Sequence, residues 1–183
     1  MLICRIIMTK ENLAKEIFKA SYLTGTFVLR SGAVSNEYFD KYQFESQPGL
    51  LNEITNHLMN IIPDDFDILA GLETGGIPIA TVLSLKSSKA QVFVRKKAKE
   101  YGTKKLAEGI NINGKKVLVV EDVVTSGGQI IKSVEDLRKE GAIIDTAICI
   151  IDREAGGKEN LLNAGVQLIS LFTMTDLKKF SEV

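Results

Sequence analysis

The chain has 183 residues, 45% of them hydrophobic and 25% charged, which suits one domain with a sizeable core. Its 23 Lys and Arg balance 23 Asp and Glu, so there is no global field for nucleic acid and any basic function must be local. Cys4 and Cys149 are too few and too far apart for a disulfide framework or a zinc site, and a single histidine, His57, argues against His-based metal chemistry and triads.

The opening Met1–Met8 is apolar but short. Arg5 interrupts it and Lys10-Glu11 follow, so it fits neither a secretory segment nor a membrane-spanning helix. It reads as an extension ahead of a second start at Met8, and a soluble cytoplasmic protein with no membrane partner is expected. Thr9 is placed to cap a helix running to Ser21, with Leu13, Ile17 and Ala20 on one face. Phe27–Arg30 and Glu37–Phe44 are predicted strands around a Ser31-Gly32 turn. A helix is predicted from Pro48 to Asn60, and it carries His57 in a structural role.

From Asp67 onward, predicted strands and helices alternate. Strand Asp67–Gly71 leads through the turn Leu72–Gly76 to helix Ile77–Leu85, with Pro78 tolerated in its first turn. Strand Gln91–Arg95 precedes a polar, basic loop from Lys96 to Gly109. Strand Val117–Val120 precedes a helix ending near Gly141, a suitable C-cap. Then come strand Ile143–Ile151, helix Glu159–Ala164, strand Val166–Phe172 and a terminal helix from Thr173. This alternation predicts an α/β fold, a parallel sheet with helices on both faces. Residues 1–63 are patterned differently and are expected to form a small N-terminal cap within a single domain spanning 1–183.

Parallel sheets bind ligands beyond the carboxyl ends of their strands. The most informative such end is V-L-V-V-E-D-V-V-T-S-G-G, Val117–Gly128. Four apolar residues form a buried strand, Glu121 and Asp122 follow at its end, and a small hydroxylated turn leads into a helix. Backbone N–H groups in such a turn, with the helix dipole, favour a phosphate. The two carboxylates suit the hydroxyls of a sugar, so the segment reads as a ribose-phosphate site. The glycines of Gly71–Pro78 suit a second phosphate or pyrophosphate. Between Arg95 and Glu108, six cations (Arg95, Lys96, Lys97, Lys99, Lys104, Lys105) stand against Glu100 and Glu108, as expected of a cationic flap closing over a polyanion. Arg153, just past a strand end, is suited to bidentate bonds with a carboxylate. Gly109–Lys116 nearly fits a nucleotide-binding P-loop, but it lacks the Ser or Thr after Gly-Lys and precedes a strand.

The Val117–Gly128 signature resembles that of type I phosphoribosyltransferases. The flap matches the R-K-x-x-K-x-x-G pattern of their orotate-specific branch at Arg95, Lys96, Lys99 and Gly102. Phe27–Tyr38 resembles that branch's F-x-L-[KR]-S-G-x-x-S-x-x-Y. The resemblance implies the type I phosphoribosyltransferase fold and transfer of ribose 5-phosphate from phosphoribosyl pyrophosphate (PRPP) to orotate, with Mg2+ carried by the pyrophosphate and no direct protein metal ligand. It implies a PRPP site of Arg95, Lys96, Lys99, Tyr101, Glu121, Asp122, Val123, Val124, Thr125, Ser126, Gly127, Gly128 and Gln129. It assigns Arg30, Thr125 and Arg153 to orotate, and Lys99 and Asp122 to catalysis. It further implies a homodimer in which the flexible loop 95–109 crosses to the neighbouring site. Two departures stand out: Gly75 where some members have lysine, and Tyr101 where many have histidine. Two readings stay open beside this one: transfer to another base such as a purine, and a PRPP-sensing regulator that binds nucleic acid.

Overall fold

The computed structural model describes residues 8–28, 32–97 and 105–181. In chain order the elements are α1 (Lys10–Ser21), β1 (Tyr22–Val28), β2 (Val34–Phe39), α2 (Tyr42–Glu45), α3 (Pro48–Met59), β3 (Ile68–Leu72), α4 (Gly76–Ser87), β4 (Ala90–Val94), β5 (Ala107–Gly109), β6 (Val117–Val124), α5 (Gly128–Lys139), β7 (Thr146–Asp152), α6 (Gly157–Asn163), β8 (Gln167–Thr173) and α7 (Met174–Ser181).

A six-stranded sheet has the order β5-β4-β3-β6-β7-β8, and every pairing except β4–β5 is parallel. Its central strands are apolar along their length because both faces are covered. Successive β6 residues alternate between two cores. Val117 and Val119 pack with Ile130, Val134, Leu137 and Leu161 of α5 and α6. Leu118 and Val120 pack with Leu13, Ile17, Ile54, Ile79 and Leu177 of α1, α3, α4 and α7. Helices α1 and α3 thus share a core with the sheet, whereas β1 and β2 form a separate two-stranded hairpin.

Strand order positions the site. From β3 the chain moves to β4 on one side, and later returns to place β6 on the other. The crevice above the carboxyl ends of β3 and β6 is therefore the switch point of the sheet, where open α/β sheets bind ligands.

Four expectations need correction. The first strand starts at Tyr22, directly after α1, and its register breaks between Thr24 and Phe27. Gly25 lies inside that break, and a glycine within a strand commonly marks a bulge. The second strand ends at Phe39, and Tyr42–Glu45 is helical. Asp40 turns the chain there, accepting from Tyr42 N (3.1 Å) and Gln43 Nε2 (3.0 Å), local bonds that compete with an extended strand. The basic loop closes as strand β5, with Val94 opposite Ala107 and Val92 opposite Gly109. Three residues ending in glycine carry too little pattern to announce a strand. Finally, Glu121 and Asp122 lie inside β6, which continues to Val124 because β7 pairs with it as far as Asp152.

Candidate active site

Adjacent residues of a pleated strand face opposite ways. Asp122 is fully buried and forms an ion pair with Lys41, which immediately precedes α2. The Glu121 carboxylate turns back, and its Oε1 accepts from Asp122 N (3.0 Å). Glu45, at the end of α2, is buried beside the Asp122 carboxylate, and its Oε1 has no hydrogen-bond partner among the described residues. Burial first, then the charge of Asp122, pushes the Glu121 carboxyl up to about 8 and the Glu45 carboxyl up to about 9. Burial pulls Lys41 down, but its hydrogen bond to Asp122 and the charges of Asp122 and Glu121 outweigh that and hold it above the usual lysine value.

The turn after β3 closes over this group. A β-carbon on Gly75 would lie 1.5 Å from Asp122 Oδ2, and one on Gly76 would lie 2.1 Å from Val120 O. These glycines let the backbone approach β6 where no side chain fits. Glu73 ties the turn to the base of the flap: its N–H donates to Val94 O (2.9 Å) and its Oε1 accepts from Lys96 N (2.7 Å).

At the carboxyl end of β6, Glu121, Val123, Val124, Thr125, Ser126, Gly127, Gly128 and Gln129 line an open cavity of about 280 Å³. Gly127 takes a left-handed conformation (φ 75°), and α5 starts at Gly128. A helix N-terminus with free N–H groups therefore faces the cavity, which suits an anion. Helix α6 braces the turn from behind. Asn160 Nδ2 donates to Ser126 O (3.0 Å), and Gly157 packs so closely that a β-carbon would lie 2.5 Å from Thr125 O.

Arg153 N donates to Val124 O (2.8 Å), which places Arg153 directly beside Thr125. Its side chain lines a pocket of about 170 Å³ with Tyr22, Glu37, Tyr38 and Phe39 of the hairpin and Met174 and Lys178 of α7. The neighbouring acid Glu154 is engaged elsewhere, accepting from Thr175 N (2.9 Å) and Thr175 Oγ1 (2.6 Å). Arg95 Nε lies 3.6 Å from Glu108 Oε1, joining the two ends of the flap. Lys96 and Lys97 line a groove with Lys132 and Lys139 of α5.

A family model described as phosphoribosyl transferase domain matches residues 42–166. A curated orotate phosphoribosyltransferase from Nocardioides sp. is 44% identical over 165 residues, covering 90% of this chain and 92% of that protein. One from Methanocaldococcus jannaschii is 40% identical over 167 residues, covering 91% and 94%. The chain belongs to the orotate phosphoribosyltransferase family. Among solved structures, the family member from Mycobacterium tuberculosis H37Rv in complex with Fe(III) dicitrate has a TM-score of 0.83 at 27% identity, covering 92% of this chain and 98% of that one. The Aeropyrum pernix orotate phosphoribosyltransferase has a TM-score of 0.77 at 35% identity, covering 91% and 98%.

Within this family's signature, the fold gathers Glu121, Asp122, the Thr125–Gln129 turn and Arg153 at one end of the sheet, with Arg95 and Lys96 at the flap's base. Arg30, Lys99 and Tyr101 lie outside the described residues. The lysine that some orotate phosphoribosyltransferases carry at Gly75 has no room here, because Asp122 fills that space. Sequence reasoning missed Lys41, Glu45 and Glu73. Their charges were visible, but nothing local to residues 41 and 45 points to a partner 81 and 77 positions away. His57 is structural, its Nε2 lying 2.7 Å from Met8 O. Cys149 is a buried core residue whose thiol is pushed up by burial.

Proposed function

We propose that this chain transfers ribose 5-phosphate from PRPP to orotate, giving orotidine 5′-monophosphate and pyrophosphate. The observation that carries the reading is the conjunction at one sheet end of the acid pair, the phosphate turn and Arg153. Glu121 and Asp122 hold the ribose hydroxyls. Val123, Val124, Thr125, Ser126, Gly127, Gly128 and Gln129 surround the 5′-phosphate, whose charge the α5 N-terminus stabilises. Arg153, with Thr125 and Arg30, takes orotate, and a planar guanidinium matches its carboxylate in bidentate fashion.

Breaking the bond at ribose C1 builds positive charge on the sugar and negative charge on the departing pyrophosphate. The protein then needs to position two substrates and place cations on the leaving group. Arg95, Lys96, Lys99 and Tyr101 supply that flap, with Lys99 stabilising charge on closure. The donor set fits a Mg2+ ion brought by the substrate: pyrophosphate oxygens are hard ligands, whereas Glu121 and Glu45 hold their protons near neutral pH. When bound, the ion offsets charge on the leaving group. In this reading the enzyme is a cytoplasmic homodimer, and loop 95–109 of each protomer closes the site of its partner.

The test is loss of orotate absorbance on mixing protein, Mg2+ and PRPP, with adenine, guanine, uracil and xanthine in parallel. Orotate-specific turnover is expected. In Arg153→Ala, kcat/KM for orotate should fall about 10- to 150-fold, the worth of hydrogen bonds to a charged group. Turnover of another base in place of orotate, or wild-type kinetics in Arg153→Ala, would refute the assignment.

A further inference from the structure

Three carboxyls, Glu45, Glu121 and Asp122, meet at the β6 end of the crevice, and the same cation, Lys41, acts on all three. They cannot all ionise together at low cost, because buried like charges repel and each needs a compensating partner. The structure places Lys41 Nζ on Asp122 Oδ2. Burial and the charge of Asp122 make the other two carboxyls retain their protons more tightly. Asp122 is also held mechanically: Gly75 abuts its Oδ2, and the carboxylate has no space in which to rotate toward that turn. Lys41 keeps 31% of its side chain exposed, while the Asp122 side chain is 1% exposed.

We propose that Lys41 is a positioning residue for PRPP, one that pins the buried Asp122 and so holds the β6 end from which Glu121 reaches the phosphate cavity. The inference rests on the site reading given above. Lys41 reaches this position only because Asp40 turns the chain out of β2 and starts α2, which also buries Glu45 behind the pair. Asp122 Oδ2 accepts from Lys41 and Oδ1 from Val123 N, so the pair fixes the backbone beside the cavity that Glu121 and Val123 line. Removing the cation would leave Asp122 buried without its partner and loosen the β6 end beside the cavity where PRPP binds in this reading.

The experiment measures KM and kcat for Lys41→Met and Lys41→Arg, together with binding of inorganic pyrophosphate in the presence of Mg2+. In Lys41→Met, KM for PRPP should rise about tenfold or more, the worth of a charged hydrogen bond. KM for orotate and the pyrophosphate affinity should stay within about twofold, and Lys41→Arg should restore most of the loss. An unpaired buried Asp122 threatens folding of Lys41→Met, so Asp122→Asn is compared with the double variant Lys41→Met/Asp122→Asn, which buries no unpaired charge. There the lysine change should add less than about twofold in KM for PRPP, since the two residues act as one unit. Parallel loss of orotate or pyrophosphate affinity, failure of arginine to rescue, or additive effects would overturn the proposal. A wild-type protein without orotate turnover would instead refute the function proposed above.

Discussion

Gly75→Ala isolates the close approach between the β3–α4 turn and the acid pair. Gly75 has φ −72° and ψ −30°, an ordinary helical conformation that alanine adopts without strain. Reduced freedom of the unfolded chain would by itself favour alanine by about 0.4–1 kcal/mol. Against that, the new β-carbon would sit 1.5 Å from Asp122 Oδ2, 2.4 Å from its Cγ and 2.9 Å from its Cβ. Ordinary contact begins near 3.4 Å, so the whole carboxylate must move, and its buried position leaves it no solvent to move into. Overpacking of this kind costs about 1–3 kcal/mol, which leaves a net loss of up to about 2.6 kcal/mol after the entropic gain. For a chain of this size that net loss corresponds to a Tm lower by up to about 10 °C. Displacing Asp122 also breaks its pair with Lys41 and, on the proposed function, disturbs the ribose site, so kcat/KM for PRPP should fall about 10- to 150-fold. Thermal melts and the orotate absorbance assay, run on wild type and variant side by side, measure both. A variant with unchanged Tm and unchanged kcat/KM would show that Asp122 is neither confined by Gly75 nor needed where it stands.

Two further outcomes are expected. Glu121 has a folded-state pKa raised from 4.5 to about 8, so its contribution to stability is complete below pH 4.5 and is lost as pH rises toward 8. Stability of the ligand-free protein, measured by urea unfolding, should therefore fall between about pH 5.5 and 8, and Glu121→Gln should flatten that slope by up to about 1.4 kcal/mol per pH unit, the value of one proton. An identical slope in the variant would refute the assignment. Asn160→Ala removes the bond from α6 to Ser126 O, worth about 0.5–1.5 kcal/mol, so the phosphate turn should loosen and KM for PRPP should rise about 2- to 12-fold with KM for orotate unchanged. Equal rises in both KM values would argue against a role confined to the phosphate turn.

The parts of this protein legible from its sequence are those whose information is local. The apolar run Val117–Val120 specifies a strand buried on both faces, and the Thr125–Gly128 turn before an amphipathic helix specifies an anion-binding corner. Arg153 is visible as a cation just past a strand end, and the alternation from Asp67 onward specifies the sheet. Periodicity and turn chemistry act over a few residues, so they can be read from a few residues.

The tertiary structure decided what depends on strand order. Setting β3 beside β6 brings Gly75 against Asp122, an approach that neither turn encodes alone. The chain bends at Asp40 instead of continuing β2, and that bend carries Lys41 and Glu45 onto Asp122, across 81 and 77 positions of sequence. The proton affinities of Glu121 and Glu45 follow from this meeting, because they come from burial and mutual charge. A carboxyl's neighbours, and with them its ionisation, exist only once the sheet has brought distant segments to the same end.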